Sequence, residues 1–311
     1  MSVLDKRVLI VTGKGGTGKT SAAVALGLWA ARSGKRTLLV ECNGTQHIGP
    51  LFRRPGGTYQ PAQLHPGLSA MTITSEEAIE DYVLQQIKVR ALYNLVFRNR
   101  IMGPFMDAVP GLHDAVHLGK VFDLTILKDT SGAPVWDLII VDAPATGHGL
   151  NLLAAPSSMM ELTQGGPVFE GVKLVHDLIS DPDKTGIVLT CLPETLPVSE
   201  TLELFDALQT HRSQVAACIL TQVFDTTLPS PTDWSLAHPL LAESHDGGVQ
   251  EASRWTQRWM DRRERQAQAR SVLATGIPAP ILSLPMLFEH GIGLTELQTL
   301  SETLEHHGAT R

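Results

Sequence analysis

The chain has 311 residues, of which 43% are hydrophobic and 18% are charged, so it has the material for a sizeable core and is not disordered. Its formal net charge of −7 excludes a protein that binds nucleic acid through bulk positive charge. The three cysteines, Cys42, Cys191 and Cys218, suit neither a Cys-x-x-Cys zinc site nor a secreted disulfide framework. With no signal peptide and no apolar run of about 18 residues, the sequence predicts a cytoplasmic protein without a membrane span.

The start of the chain predicts a strand–helix–strand unit. Residues 8–12 form a short apolar run with β-branched side chains, which is typical of a buried strand. A glycine-rich loop follows, and residues 20–32 are rich in alanine and leucine, which favours a helix that ends at Gly34. Residues 36–41 predict the second strand of the unit.

A helical block is predicted after this unit. Residues 51–67 are rich in proline and glycine and are predicted to be loop. Thr74 and Glu77 form a capping box for a long helix, and helical character continues with interruptions to about residue 127. We therefore expect a helical subdomain inserted at about residues 74–130, with residues 156–184 as a candidate extension of it.

The rest of the chain alternates apolar strands with helices. The predicted strands are 138–141, 187–191, 216–222 and 281–284, and the predicted helices include 199–210 and 294–304. Such alternation predicts an α/β fold with a mostly parallel sheet and helices on both faces. Since no second glycine-rich loop marks a tandem duplication, we expect residues 1–311 to form a single domain.

Two segments in the C-terminal half differ from this pattern. Residues 224–250 are polar, contain proline and are predicted to be a surface loop or a mobile segment. Residues 251–270 predict a helix rich in arginine, with Trp255 and Trp259 one turn apart. Such a helix would suit an anionic lipid surface or nucleic acid, but a packed helix with a solvated charged face is the more frequent alternative, and its role stays open.

Residues 13–20 read Gly-Lys-Gly-Gly-Thr-Gly-Lys-Thr and match the phosphate-binding pattern G-x-x-x-x-G-K-[ST]. The match is specific because a predicted strand precedes it and a predicted helix follows it. The backbone N–H groups would hold phosphates, Lys19 would reach the β- and γ-phosphates of ATP, and the Thr20 hydroxyl would bind Mg²⁺. The predicted nucleotide-binding residues of this loop are Gly13, Lys14, Gly15, Gly16, Thr17, Gly18, Lys19, Thr20 and Ser21.

Two further residues bear on the same site. Asp142 follows the predicted strand 138–141 and would hold Mg²⁺ directly or through water, although aspartate is also common at the start of turns. Lys14 is a second lysine near the start of the loop. It points back at the phosphates, across to the nucleotide of a partner subunit, or into solvent.

These residues resemble a known family. Residues 14–20 resemble the deviant Walker A loop, in which Lys14 corresponds to the signature lysine. Residues 142–150, Asp-Ala-Pro-Ala-Thr-Gly-His-Gly-Leu, resemble the switch II pattern D-x-A-P-T-G-H-x-L of the arsenite-pump and tail-anchored-protein-targeting ATPases, with the proline one place early. Residues 109–112 and 118–120 are similar to the helical subdomain of that family, and residues 193–201 to its P-E … E-T segment.

The resemblance implies a P-loop NTPase fold and Mg²⁺-dependent hydrolysis of ATP by a dimer of identical or related ATPase subunits. In such a dimer Lys14 would reach the nucleotide of the opposite subunit, ATP would close the dimer, and hydrolysis would reopen it. Switch II would couple the phosphate state to the helical subdomain, with His148 in a coupling role rather than in proton transfer. The residues that the resemblance places in switch II are Pro144, Thr146, Gly147 and His148, and those at the adenine base are Thr221, Gln222, Pro285 and Leu287.

The first switch departs from the family pattern. That pattern is D-P-A-H-S-L, and its aspartate positions the attacking water, whereas Asn43 stands at that place here. An amide orients water but does not accept its proton at neutral pH. Glu41, two positions earlier on the same side of an extended segment, is an equally good candidate for orienting the water or joining the metal shell. The alternatives are that hydrolysis is slow, or that Asn43 is only a structural residue at the start of a turn.

The cysteines also depart from the family. The metalloid-binding cysteines of arsenite-pump ATPases and the zinc-binding pair of the eukaryotic targeting factor are missing, and soft thiolates are what those ions require. The three cysteines present lie in or beside predicted strands and are expected to be core.

Three functions therefore stay in view. The first is a nucleotide-switched targeting ATPase that shields a hydrophobic client or acts with a membrane protein. Apolar residues at 84–106, with Met159 and Met160, would suit a client groove, and equally an ordinary core. The second is the energising ATPase of an anion or arsenite exporter, which the missing cysteines disfavour. The third is a nucleotide-gated scaffold with little turnover.

Overall fold

The chain folds around one eight-stranded sheet. The computed structural model describes residues 3–42, 46–55, 58–87, 109, 111–144, 148–163, 165–224, 228–288 and 291–309. The strands are β1 (Val8–Gly13), β2 (Thr37–Cys42), β3 (Ala62–His65), β4 (Leu68–Ile73), β5 (Leu138–Asp142), β6 (Thr185–Cys191), β7 (Val215–Val223) and β8 (Ile281–Pro285). Their order across the sheet is β3-β4-β2-β5-β1-β6-β7-β8, and every neighbouring pair is parallel except β3 and β4.

Helices cover both faces of this sheet. They are α1 (Lys19–Arg32), α2 (Ile48–Leu51), α3 (Ser75–Ile87), α4 (Leu112–Ile126), α5 (His148–Thr163), α6 (Gly166–Ser180), α7 (Thr195–Ala207), α8 (Pro231–Ala242), α9 (Gly247–Gly276) and α10 (Leu294–Ala309). One core cluster packs α1 and α10 against the sheet. The other packs α3 to α7 and α9 against the opposite face. The predicted mostly parallel α/β sheet with helices on both faces is confirmed.

The central strands place the functional residues along one edge of the sheet. All residues of β1 and β2 are buried, as expected for apolar strands that are covered on both faces. In the register of these parallel strands, Val11 of β1 and Glu41 of β2 both pair with Asp142 of β5. The glycine loop, Glu41 and Asp142 therefore meet at the carboxyl edge, which is where open parallel sheets bind ligands.

The prediction of loop at residues 51–67 is wrong in part. This segment contains the short strand β3, which pairs antiparallel with β4 at the edge of the sheet. Only Leu64 of β3 is buried, and the four-residue alternation Ala-Gln-Leu-His is a weak signal within a segment rich in proline and glycine. Residues 62–65 form a strand because they pair with β4. Strand β4 is not predicted from the sequence either.

The prediction of a surface loop at residues 224–250 is also wrong, because this segment contains helix α8. Ser230 caps the helix, and its hydroxyl oxygen accepts a hydrogen bond from the Asp233 N–H at 3.1 Å. Trp234 is buried, and its Nε1 donates to Gln257 of α9 at 2.6 Å. This contact with a distant helix stabilises α8, and a local reading of composition does not detect it.

The predicted arginine-rich helix is present and longer than expected, since α9 spans Gly247–Gly276. Trp259 stacks on Phe224, with ring centroids 3.9 Å apart and an interplanar angle of 2°. Trp255 is 50% exposed and lies beneath the guanidinium of Arg258. The helix is thus packed on one side and charged on the other.

Four helices that overlap the predicted helical subdomain contact one another, namely α3, α4, α5 and α6. Much of the predicted insertion, at residues 88–108 and 110, lies outside the described residues. The division of the chain at about residues 74–130 and 156–184 stays a prediction. Among the helices that the structure describes, none is long and apolar enough to cross a membrane.

A buried histidine lies between two of these helices. His117 is 2% exposed, and its Nε2 lies 3.1 Å from the Ser75 hydroxyl, which also contacts Nδ1 of His113 at 2.7 Å. Among the described residues, Nδ1 of His117 has no hydrogen-bond partner. Burial and, to a smaller extent, the neighbouring His113 together lower the pKa of His117 to about 4, and Glu76 opposes the shift.

The stability of the protein should consequently fall in mild acid. The unfolded chain takes up a proton on this histidine near pH 6.5, whereas the folded chain does so only near pH 4. The contribution of His117 is therefore present above pH 6.5 and is lost, by about 2–3 kcal/mol, as the pH falls towards 4. His117→Gln should flatten the pH dependence of urea unfolding over this window, and His245→Gln, at an exposed site, should not. Identical pH dependence in parent and His117→Gln would contradict the assignment.

Candidate nucleotide site

The glycine loop joins β1 to α1 in a backbone path that side chains would obstruct. Gly13 has φ 155°, and a Cβ placed there would lie 2.4 Å from the Thr190 hydroxyl oxygen. Gly18 has φ 77° and is the N-cap of α1, without any side-chain cap. The first N–H groups of α1 are thus left uncapped, as an anion site at a helix N-terminus requires.

Threonines from two other strands brace this loop. The buried Thr17 donates through its hydroxyl to the Lys14 carbonyl oxygen at 2.8 Å, and the same hydroxyl lies 2.7 Å from that of Thr190 at the end of β6. Thr221 of β7 donates to the Thr17 carbonyl oxygen at 2.9 Å. The loop is therefore held in shape without a ligand, which lowers the entropic cost of binding one.

The two lysines of the loop have different partners. Nζ of Lys19 donates to the Lys14 carbonyl oxygen at 3.0 Å, and burial lowers its pKa while the charge of Asp142 opposes that shift. Nζ of Lys14 lies 3.2 Å from Oε1 of Glu200 on α7. Both side chains of this second pair are partly exposed, at 38% and 29%. Glu200 lies within the segment that resembles the family, but its pairing with Lys14 is not predictable from that motif.

The predicted metal-binding residues lie side by side. The Thr20 hydroxyl donates to Oδ2 of Asp142 at 2.6 Å. Oδ1 of Asp142 is buried and, among the described residues, has no hydrogen-bond partner. Burial raises the pKa of Asp142 to about 6, against the Thr20 hydrogen bond and the charge of Lys19. A hydroxyl beside a carboxylate with one unpartnered oxygen is a donor set that fits Mg²⁺.

Glu41 is almost fully buried beside Asp142, at 3% exposure. Its Oε1 accepts hydrogen bonds from the N–H groups of His47, at 2.6 Å, and Ile48, at 3.1 Å. Its Oε2 accepts one from the Thr72 hydroxyl at 3.3 Å. Burial raises its pKa, and these hydrogen bonds oppose that shift. Glu41 therefore holds the segment that follows the predicted first switch, and Asn43 lies outside the described residues.

The segment predicted to be switch II begins where β5 ends. Pro144 follows the strand, and α5 begins at His148, of which only the backbone is described. Gly149 lies so close to β1 that a Cβ there would be 2.3 Å from the Thr12 hydroxyl oxygen. The start of α5 is therefore packed directly on the strand that leads into the loop. Thr146 and Gly147 lie outside the described residues.

The residues predicted to contact the base lie at the ends of two adjacent strands. Thr221 and Gln222 end β7, where Gln222 has φ 54°, and Pro285 ends β8. Between the two segments the Met286 N–H donates to the Val223 carbonyl oxygen at 2.7 Å. Leu287 follows and packs against the core that contains α1. The structure brings the four residues to one corner of the sheet, although Thr221 uses its hydroxyl to brace the loop.

This arrangement defines a class of protein. A parallel sheet whose central strand enters a glycine loop and a helix, with an acid at the end of the adjacent strand, is the P-loop NTPase fold. The sequence model described as anion-transporting ATPase matches residues 6–165, and the chain belongs to this family. The predicted family is confirmed.

Three relatives illustrate how far the similarity extends. The chain is 36% identical over 229 residues to "ATPase BagA" of Mycobacterium tuberculosis, covering 69% of this chain and 64% of that protein. It is 27% identical over 231 residues to an "Arsenical pump-driving ATPase" of Escherichia coli, covering 64% of this chain and 36% of the relative. It is 25% identical over 263 residues to "ATPase ASNA1 homolog 1" of Paramecium tetraurelia, covering 71% and 77%. The chain thus spans less than two thirds of the mycobacterial relative.

Proposed function

We propose that this chain binds ATP with Mg²⁺ and hydrolyses it as a dimeric switch. The observation that carries the proposal is the hydrogen bond between Thr20 and Asp142, at the uncapped start of α1. It places the two expected oxygen ligands together beside a loop shaped for phosphate. Membership of an ATPase family supports the same activity.

Each loop residue has a definite task in this proposal. The uncapped N–H groups of α1 and the loop bind phosphate oxygens, and Lys19 exchanges the Lys14 carbonyl oxygen for the β- and γ-phosphates. Thr20 and Asp142 hold Mg²⁺, which neutralises phosphate charge when it is bound. Because the site exists before the ligand arrives, little reorganisation accompanies binding.

Glu41 and Asn43 remain the candidates for orienting the attacking water. The carboxylate of Glu41 already accepts three hydrogen bonds, two of them from the backbone at His47 and Ile48. We propose that Glu41 acts mainly by holding this segment, so that the neighbouring Asn43 is presented to the water. An asparagine that orients water without taking its proton suits slow turnover.

The dimeric part of the proposal rests on Lys14. Its ion pair with Glu200 is partly exposed, and such pairs contribute only about 0–1 kcal/mol. A nucleotide phosphate is a stronger partner for an ammonium group, since it carries more charge and more acceptor oxygens. We propose that the pair with Glu200 is the nucleotide-free arrangement, and that ATP draws Lys14 across to the site of the second subunit.

We propose that the nucleotide state controls the binding of a hydrophobic client or of a membrane protein partner. Helices α5 and α6 expose Leu162, Val168 and Leu174, at 63%, 42% and 52%. Contiguous exposed apolar patches mark interaction surfaces, and we propose that these side chains on two neighbouring helices belong to such a patch. Most of the predicted client material at residues 84–106 lies outside the described residues.

The alternative function, the energising ATPase of an arsenite exporter, has less support. Among the described residues the three cysteines are buried, and burial raises the thiol pKa of Cys191 to about 11 and of Cys42 to about 12. Neutral, buried thiols are poor ligands for a metalloid. The function in the name of the arsenical pump relative therefore has little support in the cysteines of this chain.

Steady-state phosphate release tests the proposed activity. The purified chain should turn over ATP with Mg²⁺, and chelation of Mg²⁺ or the substitution Lys19→Ala should abolish turnover, since each removes charge opposite the phosphates. Phosphate release that persists in Lys19→Ala would point to a contaminant. ATP binding without release would favour the nucleotide-gated scaffold.

The same purified protein can be used to test whether it binds a hydrophobic client. With ATP and Mg²⁺ the protein should keep a hydrophobic tail peptide in solution, and without nucleotide it should not. Leu174→Asp, on the exposed face of α6, should lose this ability but keep phosphate release. If no nucleotide state retains the peptide, the client part of the proposal fails and the ATPase part is untouched.

A further inference from the structure

A groove of about 640 Å³ lies between α7 and α9, with walls distinct from the glycine loop. Its first wall is the turn before α7 and the start of that helix, from Pro193 to Leu202, and its second wall is the part of α9 from Arg262 to Val272. This volume lies in the range of small-molecule sites in proteins, about 300–1,000 Å³. None of the residues predicted for ATP or Mg²⁺ lines it.

The charge of the groove favours an anion. Arg262 and Arg265 both line it, and within the described part of the chain neither forms an ion pair. Arg262 donates to Sδ of Met286 at 3.7 Å, which is a weak acceptor, and its guanidinium lies over the Trp259 ring at 5.7 Å from the ring centroid. Glu194 also lines the groove, so one carboxylate opposes the two guanidinium groups. It makes no side-chain capping bond, and the uncapped start of α7 adds positive potential.

A buried amide in the α9 wall points to a polar ligand atom. Gln266 is only 5% exposed, and its Oε1 accepts a hydrogen bond from the Phe224 N–H at 3.0 Å. That bond fixes the orientation of the amide, because a nitrogen at the Oε1 position would oppose the Phe224 N–H. Its Nε2 donor has no partner among the described residues, which is rare for a buried group. Because Nε2 is buried as well as unpartnered, a ligand oxygen in the groove reaches it only when the side chain turns towards the groove.

The remainder of the groove is apolar. Leu196 at its rim is 68% exposed and Val272 on the opposite wall is 48% exposed, with Leu202 half-buried between them. A purely inorganic anion would leave these side chains in water. The lining therefore matches a ligand that has an apolar body as well as a negative charge.

We propose that this groove binds a small organic anion with an apolar body. Its anionic group pairs with Arg262 and Arg265, and an oxygen accepts from Nε2 of Gln266. The site goes beyond the proposed ATPase activity and does not depend on it. Both walls nevertheless border the nucleotide site, because α7 carries Glu200, the partner of Lys14, and Gln266 holds the backbone directly after β7.

Calorimetric titration of the full, nucleotide-free chain with octanoate tests the site. Octanoate should bind saturably, whereas acetate, which lacks the apolar body, and 1-octanol, which lacks the charge, should bind at least tenfold more weakly. Arg265→Gln should weaken octanoate binding about tenfold or more, since it removes a charge-assisted hydrogen bond. Arg254→Gln is the matched control, because it makes the same change at an exposed position of α9 away from the groove.

Several results would overturn the proposal. The first is the absence of saturable octanoate binding. The second is an affinity for octanoate that Arg265→Gln leaves unchanged, and the third is an affinity for acetate or 1-octanol equal to that for octanoate. The fourth is competition between octanoate and ATP with Mg²⁺ that places octanoate in the nucleotide site. Lys19→Ala should bind octanoate as the parent does. Because this readout needs neither nucleotide nor turnover, its failure is distinguishable from failure of the proposed ATPase.

Discussion

Replacing Thr20 with valine should lower Mg²⁺-dependent ATP turnover by about 100-fold or more, the usual effect of removing one group that stabilises charge in the transition state. Valine has the shape of threonine and is also β-branched, so α1 should still form. What is lost is the hydroxyl that donates to Oδ2 of Asp142 and that we propose as a ligand of Mg²⁺. Steady-state phosphate release over a range of Mg²⁺ concentrations measures the effect.

Thr20→Ser is the matched control for this change. Serine keeps the hydroxyl and loses only a methyl group, so most of the turnover should remain. Thermal unfolding of both variants separates chemistry from stability, because valine leaves two oxygens of Asp142 without a donor among the described residues and should cost about 1–3 kcal/mol. If Thr20→Val turned over ATP as fast as the parent protein, the proposal that Thr20 is a ligand of Mg²⁺ would be wrong.

The glycine loop and its acid are the parts of the site that a sequence reading locates well. The loop pattern reflects a backbone requirement, since a side chain at Gly13 would collide with Thr190 and Gly18 must take a left-handed conformation. Asp142 ends an apolar strand, and the strand order of the sheet brings it beside β1. The predicted bounds of β1, α1 and β2 differ from the observed ones by a residue at each end at most.

Contacts between distant segments are what the sequence reading misses. Helix α8 depends on the burial of Trp234 against Gln257, and β3 depends on pairing with β4, so neither has a strong local pattern. Glu41 is identified as an acid near the site, but its hydrogen bonds to the segment after the first switch become visible only in three dimensions. The same is true of Glu200, which lies on α7, far along the chain from Lys14.

Lys14→Ala should abolish turnover while leaving ATP binding nearly unchanged, if Lys14 serves the nucleotide of a second subunit. Within its own subunit Lys14 contacts Glu200, and the loop itself is held by Thr17 and Thr221 rather than by the Lys14 ammonium. Loss of a cation that acts on developing phosphate charge typically costs about 10²–10³ in rate. Glu200→Gln should have a smaller and opposite effect, a rise of a few-fold, because it releases Lys14 from a pair that contributes about 0–1 kcal/mol. Lys35→Ala, on the segment between α1 and β2, is a control for loss of a lysine charge.

Mixing two inactive variants decides whether Lys14 acts across a dimer. In a mixed dimer of Lys14→Ala and Thr20→Val, the subunit with an intact Thr20 receives its lysine from the other subunit, so one of the two sites is complete. With random exchange between subunits, half of the dimers are mixed, and turnover should recover to about a quarter of the parent value. If Lys14 instead serves its own nucleotide, every subunit in the mixture is defective and no turnover returns. That outcome would contradict the proposal of a site shared between two subunits. It would not contradict the ATP and Mg²⁺ site at Thr20 and Asp142, because the geometry of that site involves one chain only.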